Sequence, residues 1–77
     1  MPAGYYVQVG AFSDKRRALA LRARVRKAGW PAQLIPKGHG LLAVAIGPYL
    51  TRKEASHKQQ RILGQLHLKG YPIQYQQ

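Results

Sequence analysis

Tyr5-Tyr6-Val7-Gln8-Val9-Gly10-Ala11-Phe12 is an aromatic and β-branched run that leaves through a glycine, and its last four residues return as Ile46-Gly47-Pro48-Tyr49. Each copy is followed by a polar position suited to a helix cap, then by a helical stretch in which Ala18 corresponds to Ala55. The two halves also end alike. Ala28-Gly29-Trp30-Pro31-Ala32 matches Lys69-Gly70-Tyr71-Pro72-Ile73, in each case a glycine that stops a helix with proline close behind. The chain is therefore a repeat of strand, helix, strand. The spacing is 37 positions from Val9 to Ile46 and 41 from Gly29 to Gly70. It predicts a second helix about one turn longer than the first, with Gly29 and Gly70 both at positive φ.

Working outward, Ser13 or Asp14 caps the first helix, where Ala18, Leu21, Val25 and Ala28 recur at helical spacing as one apolar stripe. Thr51-Arg52-Lys53-Glu54 has the capping-box pattern, and Ala55, Ile62 and Leu66 turn the second helix inward. Ala32 to Ile35 and Leu41 to Ile46 read as strands joined by a hairpin through Pro36-Lys37-Gly38-His39-Gly40. The order is βαββαβ. With right-handed crossovers this gives an α+β fold, one four-stranded antiparallel sheet covered on one face by two helices.

A chain of 77 residues with 45% hydrophobic content forms one core and one domain. Residues 1–4 read as an N-terminal extension and 5–77 as the domain. No apolar run approaches the roughly 20 residues needed to cross a bilayer, and Met1-Pro2-Ala3-Gly4 lacks the regions of a signal peptide. Absence of cysteine excludes disulfides and thiolate metal sites, and leaves the compartment undecided. The net charge of +11 favours anionic surroundings.

Strand alternation sends Val7, Val9, Val44, Ile46, Ala32, Leu34 and Ile73 toward the helices. Tyr6, Gln8, Gln33, Ile35, Ala43, Ala45, Gln74 and Gln76 then occupy the uncovered face. Such a face is neutral and rich in glutamine. Glutamine amides match sugar hydroxyl and N-acetyl groups, and Tyr6 is placed to lie against a pyranose ring. Glutamines on an exposed strand face are otherwise ordinary solvated surface.

The strand Tyr5 to Phe12, the helix ending in Gly29-Trp30-Pro31-Ala32, and Val44-Ala45-Ile46-Gly47-Pro48-Tyr49 before a capped helix together resemble the SPOR (sporulation-related repeat) family over nearly the whole chain. The resemblance implies a ribonucleoprotein-like, ferredoxin-like fold. It also implies a peptidoglycan-binding module that recognises glycan strands lacking stem peptides and targets a bacterial envelope or cell-division protein to the septum. The location implied is periplasmic or otherwise extracytoplasmic, as part of a larger anchored or secreted protein, and the domain is expected to be a monomer. Gln8 leads the expected glycan-binding residues, with Tyr6, Gln33, Ile35, Ala43, Ala45, Gln74 and Gln76 around it. Many members open the third strand with an aromatic–arginine pair. Leu42 and Ala43 stand there in this chain, and Ala45 stands where a second polar residue is common, which thins the contacts offered to a glycan.

Seven cations, Lys15, Arg16, Arg17, Arg22, Arg24, Arg26 and Lys27, lie on the first helix, while Arg52, Lys53, Lys58, Arg61 and Lys69 lie on or just after the second. They form two solvated faces suited to anionic lipid or cell-wall polymer. RNA or another polyanion is the alternative partner for the same faces. Nucleic acid is not the expected ligand, because RNA-recognition sheets stack bases on aromatics of their central strands, where this third strand offers Ala43 and Ala45.

An enzyme is not expected either. Glycosidases use two carboxylates flanking the bond, and the two acids here, Asp14 and Glu54, are each explained as a helix cap. His39, His57 and His67 have no metal-binding spacing, so no metal and no cofactor are expected.

Overall fold

The computed structural model describes residues 2–76. Met1 and Gln77, the outer bounds of the two segments read from the sequence, lie outside the described residues. The elements are β1 (Gly4–Phe12), α1 (Lys15–Lys27), β2 (Ala32–Pro36), β3 (Leu42–Tyr49), α2 (Arg52–Leu66) and β4 (Tyr71–Tyr75). All strand pairs are antiparallel and the sheet order is β2-β3-β1-β4. The α+β architecture expected from the repeat is the one observed.

Local chemistry places each helix. The Asp14 carboxylate accepts from Arg16 N at 2.9 Å and starts α1. Thr51 Oγ1 accepts from Glu54 N at 3.1 Å, while Glu54 Oε1 accepts from Leu50 N at 3.1 Å. This reciprocal pair opens α2. Gly29, at φ +94°, carries the chain out of α1, where Gly29 N and Trp30 N donate back to Arg26 O and Val25 O.

Gly70 does not do the same for α2. That helix has 15 residues against 13, so it is half a turn longer, and it stops at Leu66 with His67 in the left-handed region at φ 57°. Gly70 is needed for closeness instead. A Cβ there would sit 2.7 Å from Val7 Cγ1 and 2.9 Å from Gln8 O. The extra residues of the second repeat form the connection from His67 to Gly70, and that glycine presses against β1.

One apolar cluster lies between sheet and helices: Val7, Ala32, Val44 and Ile46 from the strands, Ala18 and Val25 from α1, Ala55 and Ile62 from α2. Burying an aliphatic side chain such as Ile46 or Ile62 stabilises by about 1.5–3 kcal/mol. Between Gln8 and Gly10 the register of β1 against β3 slips by one residue, a bulge at Val9. Among the described residues no helix is long and apolar enough to cross a membrane.

Candidate functional site on the uncovered sheet face

The face away from the helices carries a second cluster: Tyr6, Ile35, Ala43 and Ala45 are buried there, with Ile73 and Tyr75 packed against them. It is more apolar than the alternation indicated. Tyr6 is fully enclosed, its ring meets Tyr75 edge-on at 6.3 Å between centroids, and its hydroxyl donates to Pro2 O at 2.5 Å. Burial, and secondarily Tyr75, hold its pKa above the ordinary value of 10.0. Tyr6 therefore acts as packing. As the chain stands, its ring offers no open side to a pyranose.

Strand register assembles the polar part of the face. Gln33 on β2 lies opposite Ala45 on β3, Ala45 lies opposite Gln8 on β1, and Gln8 lies opposite Tyr71 on β4. These four residues form one row across the whole sheet. Gln8 is buried, with 7% of its surface exposed. Its Nε2 donates to Tyr71 Oη at 2.8 Å, and its Oε1 is enclosed without a partner. Because Gln8 is buried, its truncation removes packing volume as well as hydrogen bonds. Gln33 is half-buried, and Ala43 and Ala45 beside it are buried.

Gln74 and Gln76 are not in this row. Gln74 lies opposite Tyr5, which packs into the helix-side core, and Gln76 follows the end of β4. In their place β4 presents Tyr71, Ile73 and Tyr75. Both faces of the sheet bury apolar side chains, so Ile73 was no guide to which face is inside. The signal that finds β4's true orientation is the period-two pattern Tyr71-Ile73-Tyr75, with Pro72 and Gln74 on the other side. Tyr71, 54% exposed, supplies the accessible aromatic ring that Tyr6 does not.

The two carboxylates sit at opposite ends of the sheet. Asp14 follows Phe12, which lies opposite Leu42, whereas Glu54 follows Tyr49, which lies opposite Tyr5. The stretch of β1 between those points spans about 23 Å at 3.3 Å per residue. Glycosidase carboxylates stand roughly 5–9.5 Å apart. Among the described residues no group of three or more His, Asp or Glu side chains is placed to hold a metal ion.

The SPOR domain family matches residues 2–74, and the chain belongs to that family. Among solved structures, it is similar to the peptidoglycan binding domain of the B. subtilis cell wall lytic enzyme CwlC, with TM-score 0.79 and 25% identity over 99% of this chain and 94% of that one. The SPOR domain of RlpA from Pseudomonas aeruginosa gives TM-score 0.69 and 26% identity, covering 91% of this chain and 97% of that one. The Spor protein DedD, at 20% identity and TM-score 0.74, shares the fold over 95% of this chain and 39% of its own. Comparison with the curated proteins gives no match.

Proposed function

We propose that this domain binds peptidoglycan glycan strands lacking stem peptides, on the row Gln33–Ala45–Gln8–Tyr71, and so directs an extracytoplasmic envelope protein to the division septum. The observation that carries this reading is the Gln8 amide. Its oxygen is buried and unpartnered, which costs about 1–3 kcal/mol until a donor reaches it. A sugar hydroxyl or N-acetyl N–H is such a donor. Tyr71 beside it, more than half exposed, offers ring surface for a pyranose. The similar B. subtilis domain is a peptidoglycan binding domain, which supports the choice of polymer.

The domain binds as a monomer and does not catalyse; its only two carboxylates serve helix starts far from each other. Its helix layer, opposite the glycan face, is suited to anionic lipid or cell-wall polymer. The competing reading, RNA or another polyanion on the helices, has the charge distribution in its favour. Sedimentation with intact sacculi, amidase-treated sacculi and RNA at two salt concentrations separates the readings. Preference for amidase-treated wall is expected, with RNA binding weak and lost steeply as salt rises. Preference for intact, peptide-bearing wall refutes the proposal.

A further inference from the structure

Beside the helices, where α1 ends and β2 begins, lies a groove of about 390 Å³ lined by Trp30, Pro31, Tyr49, Lys58, Arg61 and Gln65, with Gly29 at its rim. The Arg61 guanidinium carbon sits 5.7 Å from the centre of the Trp30 ring. Lys58 is one turn before Arg61 on the same flank of α2. Among the described residues no carboxylate lines the groove with these two cations. Glu54, one further turn back, is engaged with Leu50 N, and Asp14 with Arg16 N. Thirteen Lys and Arg face two Asp and Glu, so eleven cations would lack a carboxylate even if each acid held one. Trp30 supplies a flat apolar surface, and a guanidinium above it keeps N–H donors in its plane for an anion. Gln65 adds amide donors and an acceptor.

The geometry points to a second glycan subsite here, which takes a pyranose bearing a carboxylate: the muramic acid residue whose lactyl carboxyl has been freed. This rests on the proposed recognition of denuded strands and deepens it. In peptide-bearing wall the lactyl carboxyl is tied up as the amide that joins the stem peptide. Hydrolysis of that amide adds water across the C–N bond, releases the peptide amine and leaves one carboxylate on each disaccharide. A denuded strand is consequently a regular polyanion, and the lost peptide is replaced by a charge. Lys58 and Arg61 read that charge from beside the Trp30 ring, whose outer face Arg61 covers. The Tyr49 hydroxyl already registers the Arg61 charge: burial and then Glu54 raise its pKa, and Arg61 opposes them.

Position joins this groove to the uncovered face. Pro31 forms its wall, and Gln33, two residues further along edge strand β2, belongs to the glycan row. The distance along the strand is about 7 Å.

The test compares binding of the wild type, Arg61→Gln and Lys58→Gln to three probes: denuded glycan, the same glycan with its carboxyls converted to methylamides, and RNA. Thermal melting of each variant reports folding. Wild type is expected to prefer the free-carboxylate glycan about tenfold, the equivalent of about 1.4 kcal/mol. Either substitution should shrink that preference to less than threefold while leaving affinity for the methylamide glycan unchanged. Equal wild-type affinity for both glycan forms overturns the subsite and leaves sheet-face binding standing. Absence of binding to both forms overturns the glycan reading itself. RNA bound more tightly than denuded glycan, with the same dependence on Arg61 and Lys58, overturns the subsite in favour of a general polyanion surface.

Discussion

Gln8 and Tyr71 meet across the β1–β4 pair, where Gln8 Nε2 donates to Tyr71 Oη at 2.8 Å and the amide oxygen is left enclosed with no partner. One end of the amide is thereby occupied by the Tyr71 hydroxyl. The phenol's own proton stays able to donate on the more exposed side of the pair.

Replacing Gln8 by Ala is expected to weaken binding to denuded glycan several-fold to tens-fold, since a neutral hydrogen bond contributes about 0.5–1.5 kcal/mol and 1.4 kcal/mol is tenfold. Gln8→Glu should bind more weakly still, because a carboxylate must be desolvated there and lacks amide donors. Tyr71→Phe removes the acceptor for Nε2 while keeping the ring, and should lower affinity less than Gln8→Ala. Sacculus co-sedimentation run beside thermal unfolding checks all three. Unchanged sedimentation of a folded Gln8→Ala variant moves the binding surface off the sheet.

The two repeat glycines should respond differently to alanine. At Gly29 a Cβ meets nothing within 4 Å, so the cost is the left-handed backbone alone, about 1–2 kcal/mol. At Gly70 the backbone is not at positive φ, yet a Cβ would press on Val7 and on the Gln8 carbonyl, and overpacking of this kind costs about 1–3 kcal/mol. Gly70→Ala should also weaken glycan binding by displacing β1 next to Gln8, which Gly29→Ala does not. Urea unfolding and sacculus binding of both variants measure this.

Those glycines mark where the sequence is readable and where it is not. The repeat, a cap at Ser13 or Asp14, the cap at Thr51, the hairpin at Pro36–Gly40 and most of each inward stripe follow from spacing, because helical period and turn chemistry are local. Asp14 is the one that caps, and Ala28 leaves the stripe, exposed just past the end of α1. The end of α2 was not legible. His67 takes the left-handed cap three residues before Gly70, whose role depends on a contact with Val7 more than sixty positions away. The face of β4 was hidden for a related reason, since Ile73 is apolar on a sheet that buries apolar groups on both sides. Alternation alone puts Gln8 on the uncovered face, but its burial and its bond to Tyr71 follow from the β1–β4 pairing. The pairing of Arg61 with Trp30 lies across 31 positions, and on a helix as basic as α2 one arginine is not distinguished from its neighbours.

Asp14→Ala and Glu54→Ala should each lower stability by about 0.5–2 kcal/mol through loss of a helix-start hydrogen bond, with glycan binding unchanged. Chemical denaturation and sedimentation together test the assignment. Loss of binding in a folded variant would give the acid a role at the ligand.

Stability should fall as the solution becomes alkaline. Tyr6 has its pKa raised in the folded chain by burial, so above the ordinary value of 10.0 the unfolded chain loses its proton first. The stabilisation is complete below that pH and is lost as pH rises through the folded value. Tyr6→Phe should show a smaller alkaline loss in urea midpoint than wild type. Equal losses would mean that Tyr6 is not the group responsible.

The most direct test of the central claim is to titrate the labelled domain with a defined denuded glycan oligomer and follow every backbone and side-chain amide by NMR. Saturable shifts are expected, largest at Gln8, Ala45, Gln33 and Tyr71, with the Gln8 side-chain amide among the most affected. Saturable binding that leaves this row unmoved and perturbs only the outward faces of α1 and α2 would contradict it.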